Sequence, residues 1–314
     1  MGEKKTEIIR FETPCGRELF FPVATVTGNN PGPAAVITAG VHGCEYPGIV
    51  SAIRLFKELT PEEVNGSVKI VTITSTAAFE ERSMFVTPYD KVNPNRVFPG
   101  RADGSYSDVL TYRAMELIAG ADYHMDLHGG DMVEDLDPFS IYHRGDSKEL
   151  NDLSYEIAHY YGLPNVVVTE KGGLWPDDGT TYANVSERLH IPSAIVEVGA
   201  MGVLDEPSVQ KHLFGLKNVL RKFGTLKGEV SPVTPPEIFE NMAWVYTGQK
   251  GIFYMNVKVG DYVKKGDTIG VLEDYFGNYL ETVASPVDGK ALFLTGNPAM
   301  KEHGLVAGIG VSEK

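Results

Sequence analysis

Short apolar runs alternate with amphipathic segments along most of the first 220 residues. Continuous apolar stretches such as PAAVITAG and NVVVTE are typical of strands buried on both faces. Between them lie segments such as GIVSAIRLFKELT, in which Ile49, Ile53 and Phe56 recur at helical spacing. Strands separated by helices predict an α/β fold, with a mixed, mostly parallel sheet flanked by helices.

The pattern changes near Gly228. The segment GEVSPVTPPEIFE contains three prolines within five positions, which is a linker composition. Beyond it the helical periodicity disappears, and short strands alternate with Gly-Asp, Gly-Asn and Asp-Gly turns. We therefore predict a larger domain at 1–230 and a small all-β domain at 231–314.

Composition narrows the class of protein. The net charge of −14 argues against a nucleic-acid or anionic-membrane partner. No stretch approaches the roughly 20 apolar residues of a membrane span, and the start MGEKKTEIIRFETP lacks the apolar segment of a secretory signal. Two cysteines make no disulfide framework. We expect a cytoplasmic protein that acts on a small molecule, and the sequence leaves a homo-oligomer open.

The stretch TAGVHGCEYPG follows a predicted strand and carries His42, Cys44 and Glu45. Alone, it fits a metal site, a reactive thiol or an ordinary turn. Ligands of open α/β sheets bind beyond the carboxyl ends of strands, and another strand, in ADYHMDLHGG, ends at His128. Catalytic zinc takes three protein ligands and an open position. We therefore predict a metal held by His42, Glu45 and His128, with Cys44 pointing away.

Glu197 lies near the end of a further predicted strand, SAIVEVGAMG, which is otherwise apolar. An unpaired carboxylate is costly to bury, and a role as general base for an activated water explains it. Alternation along YHMDLH places His124, Asp126 and His128 on one face. We interpret His124 as structural and Asp126 as a carboxylate that orients a metal ligand.

The segment 79–100 is a long irregular stretch that contains adjacent Asn95 and Arg96. Loops of this length in a compact domain are usually functional. An arginine presents a planar fork to a carboxylate, and an asparagine adds an adaptable partner. We interpret the pair as a candidate binding site for a substrate carboxylate.

Four motifs, GVHGCEYPG, NPNRVFPG, DLHGG and VEVGAMG, occur in an order and spacing that resembles the succinylglutamate desuccinylase/aspartoacylase family. The resemblance covers roughly residues 20–225 and implies the fold of zinc carboxypeptidases related to carboxypeptidase A. It also implies one zinc ion per chain and these roles: His42, Glu45 and His128 as ligands, Glu197 as the catalytic carboxylate, and Asn95 and Arg96 as the clamp for a substrate carboxylate.

The chain departs from the family pattern at one position. Family members commonly have an arginine just before the equivalent of Phe85, where it polarises the scissile carbonyl, whereas this chain has Met84. Arg82 is two residues earlier, and we expect it to take that role. The β-rich tail resembles the barrel-sandwich fold of biotinyl and lipoyl domains, but its hairpin LEDYFGNY has no lysine to modify. The tail is therefore expected to be an accessory domain.

These features together predict a zinc-dependent amidohydrolase that cleaves an N-acyl amino acid or a similar small amide bearing a carboxylate. One alternative is a metallocarboxypeptidase that trims short peptides with the same residues. The other is a non-enzymatic metal-binding or carrier-interaction protein. Glu197 argues against this second alternative, because a structural zinc site needs no general base.

Overall fold

The structure of the protein is a computed structural model in which residues 2–175 and 177–311 are described. Ten strands come first along the chain: β1 (Glu3–Glu12), β2 (Glu18–Thr27), β3 (Asn30–Ala39), β4 (Asn65–Val71), β5 (Tyr123–His128), β6 (Glu134–Leu136), β7 (Phe139–His143), β8 (Asn165–Thr169), β9 (Ser193–Glu197) and β10 (Glu237–Phe239). Eight more follow: β11 (Met242–Tyr246), β12 (Gly251–Met255), β13 (Tyr262–Val263), β14 (Thr268–Glu273), β15 (Tyr279–Ala284), β16 (Gly289–Thr295), β17 (Ala299–Met300) and β18 (Leu305–Val311).

Helices separate most of the early strands, as the periodicity predicts. They are α1 (Tyr46–Glu58), α2 (Thr76–Glu81), α3 (Tyr106–Ile118), α4 (Lys148–Tyr161), α5 (Thr181–Leu189) and α6 (Glu206–Lys222), with one turn of 3₁₀ helix at Pro94–Arg96. No helix within 2–175 and 177–311 has the length and apolar character needed to cross a bilayer.

Nine strands form one large sheet in the order β1-β2-β4-β3-β5-β9-β7-β8-β10. The pairs β3·β4, β3·β5, β5·β9, β7·β8 and β8·β10 are parallel, and the other three pairs are antiparallel. Buried side chains of α1, α4 and α6 cover one face, and those of α3 with part of α5 cover the other. The predicted mixed, mostly parallel sheet flanked by helices is confirmed.

The sequence predicts a mixed sheet but does not indicate which of its strands run antiparallel. The strand β1 reads EKKTEIIRFE and is largely exposed, so no buried apolar run marks it. It lies at the sheet edge and pairs with β2 along ten residues. The strand β7 is fully buried, yet it follows the acidic segment after His128 and runs antiparallel to β9. Both strands depend on pairing with another strand, which local periodicity does not reveal.

Two smaller antiparallel sheets follow the large sheet. One has the order β11-β18-β16-β13 with β6 attached to β16, and the other has the order β15-β14-β12-β17. The all-β character predicted for this region is therefore present. Two strands are exchanged across residue 230, because β6 joins the small sheet and β10 joins the large one. The division into 1–230 and 231–314 stays a prediction.

A shared apolar cluster joins the large sheet to the first small sheet. Phe239 of β10 is fully buried and lies in one cluster with Leu292 and Phe293 of β16. Both Phe239 and Leu292 press on Gly310, where an added Cβ would lie within 2.9 Å of their atoms. Truncating a side chain in such a close-packed cluster leaves a cavity, because the surrounding side chains relax only partly.

Leu292→Ala is expected to lower the free energy of unfolding by about 2–5 kcal/mol, since the truncation leaves a cavity between the two sheets. Urea unfolding followed by circular dichroism measures the loss. Phe276→Ala is the matched control, because Phe276 is 90% exposed. Equal midpoints for Leu292→Ala and the wild type would contradict the shared core.

Candidate active site

Three neighbouring parallel strands end at the same edge of the large sheet. β3 pairs with β5, with Ala39 opposite Leu127, and β5 pairs with β9, with His128 opposite Glu197. The loop that follows β3 carries His42 and Glu45 to this edge. Parallel register therefore gathers the predicted site residues from sequence positions more than 150 apart.

The loop between β3 and α1 is tightly folded. Gly40 has a positive φ of 66°, which disfavours a side chain. At Gly43 an added Cβ would lie 2.2 Å from the backbone nitrogen of Phe79, so only glycine fits. Pro47 lies in the first turn of α1, where its missing N–H costs nothing. The loop thus turns His42 and Glu45 toward the same point.

His42, Glu45 and His128 form a compact triad. One ligand atom from each lies within 4.8 Å of the other two. The Nδ1 atom of His42 is 2.6 Å from Glu45 Oε1, and the Nδ1 atom of His128 is 3.0 Å from Glu45 Oε2. Although Oε2 is buried, it has no aligned hydrogen-bond donor. Both imidazoles therefore direct the same nitrogen at one carboxylate.

The outer nitrogens of the two rings determine what the inner ones can do. His42 Nε2 is 3.0 Å from Asn93 Oδ1, which also accepts the Asn95 N–H. That oxygen is an acceptor, so His42 Nε2 donates, and neutral His42 then has a bare lone pair at Nδ1. A lone pair 2.6 Å from a carboxylate oxygen requires either a proton between the two atoms or a metal ion that both atoms bind.

The ionisation of the triad follows the same geometry. Burial lowers the pKa of His42, but the Glu45 carboxylate outweighs it, so the net shift is upward. Burial acts likewise on His128, where Asp126 and Glu45 raise the pKa well above its usual range. Burial raises the pKa of Glu45, but the two imidazoles lower it overall. Positive charge is therefore stabilised among these three side chains.

A second group of side chains holds His128 in place. Asp126 Oδ2 lies 3.1 Å from His128 Nε2, and the Thr38 hydroxyl donates to Asp126 Oδ1 at 2.6 Å. Carboxylates in this position orient histidine ligands of metals. His124 contacts the hydroxyls of Thr38 and Ser193 instead, at 2.9 and 2.8 Å. His124 is thus a buried structural residue, as the sequence indicated.

Glu197 ends β9 directly beside His128. Its carboxyl group makes no hydrogen bond or ion pair with the described residues. Burial raises the pKa of Glu197 to about 8, the Glu45 and Glu134 carboxylates act in the same direction, and His128 opposes them. A carboxyl group in this state can both accept and release a proton near neutral pH.

Asn95 and Arg96 differ in how tightly they are held. Asn95 is buried, and its Oδ1 accepts both the backbone N–H and the hydroxyl of Thr181, at 2.9 and 3.1 Å. Its side-chain NH₂ has no partner within the described part of the chain. Arg96 is exposed and donates to the Asn95 carbonyl at 2.7 Å. The pair therefore presents donors only, which suits an anionic group.

The predicted oxyanion residue lies at the end of α2. Arg82 caps this helix with φ 51°, and its backbone N–H donates to the Phe79 carbonyl. Its side chain is exposed and makes no hydrogen bond or ion pair among residues 2–175 and 177–311. Met84 is partly exposed, while the backbone N–H of Phe85 donates to Asp131 Oδ2 at 2.7 Å. Cys44 is buried with its sulfur 3.8 Å from the Ser83 carbonyl, away from the triad. The role of Arg82 stays a prediction.

Several residues of the site were missed in the sequence. Asn93 contacts His42, Thr181 holds Asn95, and Asp131 and Glu134 place two more carboxylates near the triad. A weak signal exists for the last two, because DMVEDLD directly after DLHGG is unusually acidic. Asn93 and Thr181 have no such signal, since their partners are 51 and 86 residues away.

With this geometry in place, comparison with known proteins identifies the class. The succinylglutamate desuccinylase/aspartoacylase catalytic domain matches residues 31–223, and the chain belongs to that family. The N-alpha-acetyl-L-2,4-diaminobutyric acid deacetylase of Halomonas elongata is 30% identical over 255 residues, which are 80% of this chain and 73% of that protein.

Solved structures agree on the fold. The product-bound ectoine utilization protein EutE (DoeB) from Ruegeria pomeroyi is 25% identical and superposes with a TM-score of 0.87, covering 99% of this chain and 95% of that one. A succinylglutamate desuccinylase/aspartoacylase from Rhodobacter sphaeroides gives a TM-score of 0.84 at 24% identity, with the same coverage. The resemblance predicted from the four motifs is confirmed.

A buried histidine supports the segment that holds Asn95. His143 Nδ1 is 2.7 Å from Asp177 Oδ2, and His143 Nε2 is 3.0 Å from Glu187. The backbone carbonyl of Asp177 in turn accepts hydrogen bonds from the N–H and the hydroxyl of Thr180, the residue that precedes Thr181. Burial lowers the pKa of His143, but Asp177 and Glu187 outweigh it and the pKa is raised.

His143→Gln is therefore expected to destabilise the protein by about 1.5–3 kcal/mol at pH 6, where the wild-type histidine is charged. Because the folded-state pKa is raised, this contribution is complete below the unfolded value of 6.5 and is lost as pH rises through the folded value. Denaturant unfolding at pH 6 to 9 measures the difference in unfolding free energy between the wild type and His143→Gln, which should narrow as the pH rises. His303→Asn, at an exposed position, is the control, and a pH-independent difference would contradict the assignment.

Proposed function

We propose that this protein is a zinc-dependent hydrolase that cleaves the amide bond of an N-acyl amino acid or a similar small carboxylate-bearing amide. The observation that carries the proposal is the convergence of one ligand atom each from His42, Glu45 and His128 within 4.8 Å, beside the unpaired carboxyl group of Glu197. A cation site next to a free proton acceptor is the arrangement that amide hydrolysis needs.

The residues present fit one zinc ion. Two imidazole nitrogens and a carboxylate converge, and each imidazole has its other nitrogen held by an oxygen. Zinc at His42, Glu45 and His128 would supply Lewis-acid activation of water and stabilise negative charge that develops on the substrate carbonyl oxygen.

Glu197 is the proposed acid–base residue. It takes a proton from water as the water attacks the amide carbon, and it then delivers a proton to the departing nitrogen. Its carboxyl group makes no hydrogen bond or ion pair with the described residues, so it is free to hold the proton between the two steps. Its position opposite His128 in the β5·β9 ladder keeps it beside the triad.

Asn95 and Arg96 are the proposed binding site for the substrate carboxylate. The side-chain oxygen Oδ1 of Asn95 is occupied by Thr181, so the side chain can present only its NH₂ group. The contact of Asn93 with both His42 and the Asn95 backbone ties this clamp to the triad. The substrate is thereby oriented relative to the reacting amide, which is a large share of catalysis.

The alternative function for the same residues is that of a metallocarboxypeptidase acting on short peptides. The relative from Halomonas elongata is a deacetylase of an acetylated amino acid, and this favours the small amide. The non-enzymatic alternative leaves Glu197 without a purpose, since an uncompensated carboxylate costs stability. Acylated amino acids are therefore the first substrates to test.

Glu197→Gln is expected to lower the rate of hydrolysis of N-acyl amino acids by about 10²–10⁴-fold, because the glutamine side chain cannot accept a proton. The assay is a screen of N-acetyl, N-succinyl and N-formyl amino acids, with bound zinc measured in parallel. Zinc content should match that of the wild type. A chelator should abolish wild-type activity, and zinc should restore it. Unchanged hydrolysis by Glu197→Gln with zinc retained would contradict the proposed role.

Arg82→Ala separates the two predicted arginine roles. If Arg82 stabilises the developing oxyanion, its loss lowers kcat by about 10²–10³ with little change in KM. Arg96→Ala should instead raise KM, since it weakens the grip on the carboxylate. Arg101→Ala is the control, because that side chain is 70% exposed. Full activity in Arg82→Ala would eliminate Arg82 from the mechanism.

A further inference from the structure

Glu134 lies where the chain segments after β5 and β9 meet. Its backbone carbonyl accepts the N–H of Met201 at 2.7 Å, four residues after Glu197. Nearby, the backbone carbonyl of Gly130, two residues after His128, accepts the N–H of Gly202 at 3.0 Å. These bonds lock the two segments together just beyond the strand ends. Glu134 is therefore held at the same edge of the sheet as the triad.

The side chain of Glu134 has one oxygen committed and one free. Its Oε2 accepts the backbone N–H of Asp131 at 3.0 Å, and Oε1 accepts nothing from the described residues. Asp131 differs, because its two oxygens accept the N–H groups of Met132 and Phe85 at 2.5 and 2.7 Å. Of these two carboxylates, only Glu134 retains a free oxygen for a ligand.

Negative charge dominates this edge of the sheet. Five carboxylates are gathered there: Glu45, Asp126, Asp131, Glu134 and Glu197. Within 2–175 and 177–311, no lysine or arginine forms an ion pair with any of them. A single divalent ion at the triad would leave a net negative charge. A positively charged substrate group would compensate it.

The partial burial of Glu134 strengthens its attraction for a positively charged group. It is half-buried, and burial together with the Glu45 carboxylate raises its pKa to about 7. Its charge also contributes to the raised pKa of Glu197. A cation placed between a desolvated carboxylate and the reacting centre gains more than it would in water.

We propose that Glu134 binds a substrate ammonium group through Oε1, so that the substrate is an Nα-acyl diamino acid with its second amine free. This inference rests on the proposed function. The substrate would be held at its carboxylate by Asn95 and Arg96, at its scissile amide by the triad, and at its ammonium by Glu134. Three attachments of different charge specify one orientation and disfavour neutral or acidic side chains.

The test compares two substrates of equal shape, Nα-acetyl-2,4-diaminobutyrate and Nα-acetylnorvaline, in which a methyl group replaces the ammonium. Wild type should prefer the first. Glu134→Gln should lower kcat/KM for it by about 10–150-fold, the range of a hydrogen bond to a charged group, and change the second by less than about 3-fold. Glu134→Asp, which keeps the charge, should retain part of the preference.

The matched control is Asp135→Asn. Asp135 is the neighbouring carboxylate, and it forms no ion pair in the part of the chain that is described. A second readout does not depend on turnover: calorimetric binding of the product 2,4-diaminobutyrate should exceed that of norvaline, and Glu134→Gln should erase the difference. Circular dichroism confirms folding of each variant.

Each outcome has a distinct meaning. If wild type hydrolyses both substrates and Glu134→Gln leaves their ratio unchanged, the role of Glu134 is wrong and the proposed function stands. If neither substrate is hydrolysed, nor any other acyl amino acid, the proposed function fails. The binding measurement then still decides on Glu134, because equal binding of both products by wild type and variant overturns its role.

Discussion

The site depends on one unfavourable contact that a cation makes favourable. His42 Nδ1 and Glu45 Oε1 lie 2.6 Å apart, while the outer nitrogen of His42 is committed to an acceptor on Asn93. Without positive charge between them, two lone pairs would repel at this distance. The fold holds them together through the glycine-rich loop and the parallel strand ends. The chain therefore maintains a place for a cation whichever cation occupies it.

Much of this arrangement is predictable, because it follows from register. A buried apolar run that ends at a His or Glu with glycine beside it predicts a strand whose carboxyl end faces the site. His42, His128 and Glu197 each have that local signature, so strand ends alone indicate that they converge. The edge strand β1 has no such signature, because it is largely exposed and is specified by pairing with β2 rather than by burial.

The contacts that complete the site could not be predicted. Asn93 and Thr181 are ordinary polar residues in a loop and at a helix start, and only tertiary packing gives them partners. The exchange of β6 and β10 between sheets has the same origin, since three-residue strands have no periodicity to detect. Sequence pattern predicts the strands that carry a site more readily than the loops that shape it.

The distribution of charge around the triad gives the site a direction. Asn95 can offer only donors to a ligand, because Thr181 occupies its side-chain oxygen. Both side-chain oxygens of Asp131 are held by backbone N–H groups, whereas Glu134 retains a free oxygen. On the roles proposed for Asn95 and Glu134, a substrate with one anionic and one cationic group would satisfy both residues. A substrate with a second anionic group would then be repelled by Glu134, so the same residues would favour one class of acyl amino acid over another.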